Sequence, residues 1–146
     1  MYYNGTKITG PIRGVAAITG NDFVTGTGNQ QIISELVFGG VSYYDTVNFY
    51  VAPVTVVASL PAGVVEGINY ATNCASVTLV LFAPSKSDAM VIGDFAGSNW
   101  MPQAAFQMNK TPDGNYYWLT INGLTSVQEY AFEYLVDIAI YIADPY

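Results

Sequence analysis

The stretch Ser76-Val-Thr-Leu-Val-Leu-Phe-Ala-Pro-Ser-Lys-Ser-Asp-Ala-Met-Val-Ile-Gly93 decides the class of fold. Its first seven residues alternate and are rich in Val, Leu, Thr and Phe, which reads as a strand with one face on a core. Pro84 has no amide hydrogen to give to a ladder, so the strand stops at Ala83-Pro84-Ser85-Lys86. Ala89 to Gly93 is a second, short apolar strand. Downstream, Asp94-Phe-Ala-Gly-Ser-Asn-Trp100 is a polar loop ending on a large aromatic. Asn109-Lys-Thr-Pro-Asp-Gly-Asn115 holds Pro-Asp-Gly, in which Pro presets φ and Gly accepts a positive one, so a hairpin turn is predicted.

The hairpin continues into Tyr116-Tyr-Trp-Leu-Thr-Ile121, where Tyr117, Leu119 and Ile121 share one face and Tyr116, Trp118 and Thr120 the other. Asn122-Gly123 turns again. Glu129 to Asp137 alternates as a further strand, and Ile138 to Ile142 is the last, before Ala143-Asp-Pro-Tyr146. Upstream, Gly10-Pro11, Gly20-Asn21-Asp22 and Gly26-Thr27-Gly28-Asn29 punctuate candidate strands at 12–18, 31–38 and 46–52, with a turn at Gly39-Gly40. No segment reads as a long helix. Strands recurring about every ten residues between Gly, Pro, Asn and Asp are the pattern of an all-β sandwich.

Composition narrows the chemistry. Of 146 residues only 10% are charged, against about 25% in an ordinary soluble domain. The net charge is −7 and the cations are Lys7, Arg13, Lys86 and Lys110 alone, which make no basic patch for nucleic acid or anionic lipid. With no His and one Cys, Cys74, a usual four-ligand zinc site, a Ser-His-Asp triad and an internal disulfide are excluded. No cofactor is implied. The apolar stretch Val47 to Val65 is broken by Pro53, Pro61 and Gly63, which does not suit a membrane-spanning helix. Met1-Tyr-Tyr-Asn-Gly-Thr-Lys7 lacks the apolar region and cleavage site of a signal peptide, as the mature chain of a secreted protein also would.

The run Leu60-Pro-Ala-Gly-Val-Val-Glu-Gly-Ile-Asn-Tyr70, then Ser76 to Leu81, Val91-Ile-Gly-Asp-Phe95, Asn99-Trp100, Asp113 to Ile121, Gly123-Leu124, Glu129 to Asp137 and Ala143-Asp-Pro-Tyr146 resembles the N-terminal accessory β-sandwich of bacterial α-amylase-family enzymes. It is similar to the glycogen-binding and starch-branching type of module, above all in amylases of Bacteroidetes. The resemblance implies an immunoglobulin-like early-set β-sandwich at 60–146, preceded by a strand-rich segment at 1–59 that is short for a complete sandwich. It further implies a non-catalytic module that binds α-glucan or positions a catalytic barrel which this chain does not contain. Trp100 occupies the family's first aromatic position, and Ile140 or Tyr141 lies near the second. Glu133 stands where the family carries a Lys, and Ile138 where it carries a Gly.

Candidate carbohydrate-binding residues are therefore Trp100, Tyr116, Trp118 and Tyr141. Three of them have a plain alternative: Trp100 as a cap on the sandwich end, Tyr116 and Trp118 as core or interface. The spacing of Asp94, Asp113, Glu129 and Asp137 gives no opposed pair of carboxylates for glycoside hydrolysis, and Asp137 reads as the cap of its own turn. Gly26-Thr-Gly-Asn29 lacks the Lys of a phosphate loop and reads as a turn. Asn4-Gly-Thr6 and Asn109-Lys-Thr111 fit the N-glycosylation pattern, which short polar loops often match by chance.

A competing expectation comes from physics. The chain holds 12 Tyr, 7 Phe and 2 Trp, more aromatic surface than a small core hides, and exposed aromatic area marks association surfaces. Together with an incomplete N-terminal sandwich, this points to self-association by strand addition, in an extracellular fibre or surface-layer subunit.

Overall fold

The computed structural model describes residues 2–7, 24, 26–72 and 74–145. The strand expected at 12–18, the turns at Gly10-Pro11 and Gly20-Asn21-Asp22, Arg13 and Tyr146 lie outside them. The described chain is all-β, with eleven strands in three antiparallel sheets. They are β1 (Tyr2–Tyr3), β2 (Thr6–Lys7), β3 (Gly28–Phe38), β4 (Val41–Val51), β5 (Gly67–Tyr70), β6 (Ser76–Phe82), β7 (Ala89–Gly93), β8 (Asn109–Lys110), β9 (Tyr116–Asn122), β10 (Phe132–Val136) and β11 (Ile140–Ala143). One 3₁₀ turn covers Ala104–Phe106. Among the described residues no helix is long and apolar enough to cross a membrane.

The chain divides into two compact units, Met1–Val51 and Ala52–Tyr146. The sequence reading placed the division at 59/60. Residues 52–59 go with the second unit because Lys110 N donates to Val56 O at 2.8 Å and Ala58 N to Lys110 O at 2.9 Å. These bonds lay a short extended piece in parallel along the outer edge of β8. Such a piece has no alternation of its own by which to be recognised.

The first unit is one four-stranded sheet in the order β2-β1-β3-β4. Asn4 and Gly5, both at positive φ (45° and 79°), turn β1 into β2, as an Asn-Gly pair does in a tight hairpin. The Asn4 side chain is tied to β3, accepting from Gln31 N at 2.8 Å and donating to Gln30 Oε1 at 2.7 Å. The long hairpin β3–β4 pairs all eleven residues, from Gly28↔Val51 to Phe38↔Val41. Gly39 and Gly40, at φ 58° and 79°, make its two-residue turn where the sequence placed one.

In the second unit two sheets, β5-β6-β9-β8 and β11-β10-β7, contribute to one hydrophobic core. Val77, Leu79 and Leu81 of β6 and Tyr117 and Ile121 of β9 meet Ala89 and Val91 of β7 and Tyr134 and Val136 of β10. The alternation read in β6 and β9 thus selects the inward face. Met90, Ile92 and Leu135, pointing the other way, are buried too, which is why β7 reads as continuously apolar. On the outward face of the first of these sheets Val80 is also fully buried. It sits opposite Trp118, whose indole N–H donates to Ala58 O at 3.0 Å.

The loop after β9 stores strain. Gln128 N closes a turn on Thr125 O, with Val127 at its third position and φ +68°. That geometry favours Gly or Asn, because a β-branched side chain clashes with its own backbone there. Val127 is fully exposed, so replacing it loses no packing. Val127→Gly is expected to raise stability by about 1 kcal/mol, read as a higher urea midpoint at unchanged slope.

Candidate functional site

The four residues singled out in the sequence do not converge. Tyr116 and Trp118 share the outward face of β9, half-buried, beside Phe82 and Val80 of β6. The Tyr116 and Phe82 rings lie 5.1 Å apart at 57°, with Glu66 Oε2 3.5 Å from the Tyr116 hydroxyl. Tyr141 is exposed on β11, an edge strand of the other sheet. Trp100 lies in the turn after β7, its N–H bonded to Gly93 O at 3.0 Å. It and Asn99 are both held at positive φ (57° and 49°), and the indole is 43% exposed.

The carboxylates are engaged in turns. Asp94 accepts from Ala131 N at 2.9 Å, and Asp113 accepts from Thr111 Oγ1 and from Asn115 N, which holds its carboxyl below the usual range. Asp137 differs from its expected role. Its Oδ1 accepts from Ser87 N at 2.8 Å and Asp88 N at 3.4 Å, and its Oδ2 lies 3.3 Å from Lys86 Nζ. It therefore caps the loop between β6 and β7 rather than its own turn, because its φ of +51° turns the carboxylate toward that loop. The Ser87 amide bond leads the lowering of its pKa. Asp88 beside it is shifted up, first by burial and then by the Asp137 charge. Ile138, where the resembled family has Gly, sits at φ +52°, the conformation that a Gly adopts without cost. Among the described residues no group of three or more His, Cys, Asp or Glu is placed to hold a metal ion.

Two features were not singled out in the sequence. The first is a recess of ≈430 Å³ at one end of the second unit, lined mainly by Ile68, Val77, Leu79, Phe95, Ile121 and Phe132, with Tyr70 and Glu129 also at its wall. The loop from Leu124 to Tyr130 borders it, fixed by Thr125 N donating to the Tyr130 hydroxyl at 2.9 Å. No local pattern announces such a gap, since it depends on how far two sheets part.

The second is the β3–β4 hairpin. Its register places Gln30, Ile32, Ser34, Leu36 and Phe38 of β3 and Val41, Tyr43, Asp45, Val47 and Phe49 of β4 on one face. The opposite face carries Gln31, Ile33, Glu35 and Val37 of β3 and Ser42, Tyr44, Thr46 and Asn48 of β4, with Val37 62% exposed. The polar groups of this second face pair with one another: Glu35 accepts from Ser42 Oγ at 2.9 Å and from the Tyr44 hydroxyl at 3.2 Å, and Gln31 donates to Asn48 Oδ1 at 3.0 Å. The Ser42 bond leads in holding the Glu35 carboxyl low, and the Glu35 charge raises the Tyr2 hydroxyl. On the first face Leu36, Phe38, Val41, Tyr43 and Val47 are 53–74% exposed, with Ser34 and Asp45 set among them. In the strand order of the described residues β4 comes last.

Comparison with known proteins adds no relative: no protein-family model matches the chain, and no curated protein matches it either.

Proposed function

We propose that this chain is a non-catalytic structural subunit that assembles with copies of itself through the β3–β4 hairpin, as a unit of an extracellular fibre or surface layer. The observation that supports the reading is the row of exposed Leu36, Phe38, Val41, Tyr43 and Val47 side chains on one face of that hairpin. A sheet that is apolar on one face ordinarily buries it against a second layer. Burial of each such side chain contributes about 1.5–3 kcal/mol. Two copies meeting through five residues each gain on the order of 20 kcal/mol before the cost of association, which is about 4–15 kcal/mol. The scarcity of charge fits the same reading, because a surface destined for contact need not be solvated.

Sedimentation velocity over a range of concentrations, with negative-stain imaging, tests it. The wild type is expected to sediment as oligomers, and Tyr43→Lys/Val47→Lys as a monomer with an unchanged circular dichroism spectrum. A wild type that stays a monodisperse monomer at the highest concentration sinks the proposal.

A second reading rests on the resemblance to amylase accessory modules, with the second unit taken as an immunoglobulin-like early-set sandwich that binds or positions α-glucan. The observation favouring it is the aromatic group Phe82, Tyr116 and Trp118 on one sheet face, since sugar rings stack on such surfaces. Titration with maltoheptaose, followed by Trp fluorescence, is expected to give a saturable change that weakens in Tyr116→Ala. Trp100→Ala measures whether the loop indole adds to it. A flat response of the wild type at millimolar sugar removes this reading.

A further inference from the structure

The geometry of the second unit points to a small-molecule site: we infer that the recess at its end binds a small apolar molecule carrying one cationic group. Nothing in this site depends on assembly through β3–β4. The recess opens into the core rather than running across a face. Val77, Leu79, Phe95 and Ile121 at its wall are core residues, 1–8% exposed. Ile68 of β5 and Phe132 of β10, from the two sheets, are only partly buried there. Its volume of ≈430 Å³ falls within the range of ligand pockets, about 300–1,000 Å³, and equals the space of on the order of ten waters. Water against such walls finds few partners, so an apolar body that displaces it gains affinity. The opening is also preformed. Thr125 N donates to the Tyr130 hydroxyl and Gln128 N to Thr125 O, which closes the bordering loop on itself, and Leu124 N is tied to Ala75 O at 2.9 Å. A site already shaped loses little entropy when it is filled.

Charge selects the polar group of the ligand. Glu129 stands at the wall and is exposed. The second unit holds two cations, Lys86 and Lys110, and neither is near it. Lys86 Nζ lies 3.3 Å from Asp137 Oδ2, and Lys110 Nζ donates to Lys86 O, which also accepts from the Tyr117 hydroxyl. Tyr117 begins the inward row of β9 that Ile121 ends, four residues or roughly 13 Å away. Asp94 lies on the adjoining surface with Phe95 and Tyr130 and adds a second negative charge. This end of the unit therefore presents two carboxylates without a Lys or Arg, attracting a cationic group and repelling an anionic one. The Tyr70 ring, 76% exposed, and the Tyr130 ring at the wall offer π faces to an ammonium.

Three probes with one apolar body and different charge test the site: naphthylmethylamine, naphthylmethanol and naphthylacetate. Each is titrated into methyl-labelled chain, followed by NMR, with affinity measured by calorimetry. The amine is expected to bind with a Kd of about 1 mM or below, shifting the methyl signals of Ile68, Val77, Leu79 and Ile121 and leaving the indole N–H signals of Trp100 and Trp118 in place. The alcohol is expected to bind up to about fivefold more weakly, and the acid more weakly still. Glu129→Gln is expected to remove most of the preference for the amine over the alcohol, and Ile68→Trp, which fills the recess, to abolish the methyl shifts. Circular dichroism confirms folding of both variants, and the exposed position of Glu129 keeps the first informative even where the second does not fold. Unmoved recess methyls at millimolar amine remove the site. An alcohol or acid that binds as tightly as the amine, or a preference that survives Glu129→Gln intact, overturns the cationic occupant.

Discussion

Tyr117→Ala is expected to remove most of the stability of the second unit, about 3–5 kcal/mol, against a total of about 5–15 kcal/mol for a typical domain. Tyr117 is fully buried at the centre of the core. Its hydroxyl donates to Lys86 O, which also receives Lys110 Nζ at 2.6 Å, and Lys110 Nζ lies 5.5 Å from the centre of its ring. Removal of the ring leaves a cavity that flanking strands cannot close without breaking the β6–β9 register. Tyr117→Phe keeps the ring and leaves Lys86 O one donor, so it is expected to cost only about 1 kcal/mol. Urea unfolding of both variants separates packing from hydrogen bonding; a loss under 1 kcal/mol for the alanine variant would show that this core is not where the unit's stability lies.

Gly93→Ala is expected to have a comparable effect from the opposite cause, overpacking. A Cβ at Gly93 would stand 2.4 Å from Ala131 O and 2.6 Å from Phe95 Cε1. The first contact is backbone and cannot swing aside. It is also pinned, because Asp94 N donates to Ala131 O at 3.1 Å while Ala131 N donates to the Asp94 carboxylate. Relief requires moving the end of β7 away from β10, where Gly93 pairs with Phe132. The cost is expected near the upper end of the usual range for overpacking, about 3 kcal/mol. Thermal melts and soluble yield measure it, and a melting temperature equal to wild type would show that the approach is looser than the distances say.

Much of the second unit was legible before any coordinates, for a local reason. Alternation in Ser76–Phe82, the apolar run Ala89–Gly93 and the alternation from Tyr116 are complete signals within a few residues, and the strands lie where they were read. Reading was poorer where tertiary bonds set the limits. Glu129 to Ala131 alternate as though in a strand, yet β10 begins only at Phe132, because the Tyr130 hydroxyl is tied back to Thr125 N. The first long hairpin was read as 31–38 and 46–52. It runs from Gly28 to Phe38 and from Val41 to Val51; of the missed residues Val41 to Asp45, Val41, Tyr43 and Tyr44 are good strand formers, and pairing with β3 carries Ser42 and Asp45 along.

The aromatic candidates divide in the same way. That Tyr116 and Trp118 share a face follows from the two-residue period of any strand. That the Trp118 indole is bonded to Ala58, sixty residues earlier, and that Trp100 and Tyr141 lie elsewhere, depends on which strands become neighbours.

Sequence by itself determined that the chain is built of strands, where most of them turn, and which chemistry its few charges and absent histidines rule out, because turn formation, alternation and side-chain inventory are local properties. Only the tertiary structure decided which apolar residues are hidden. Leu79 and Val91 are buried because a second sheet lies over them; Leu36, Phe38 and Tyr43 are equally apolar and stay open. Burial is a property of pairs of surfaces, which no residue type decides on its own.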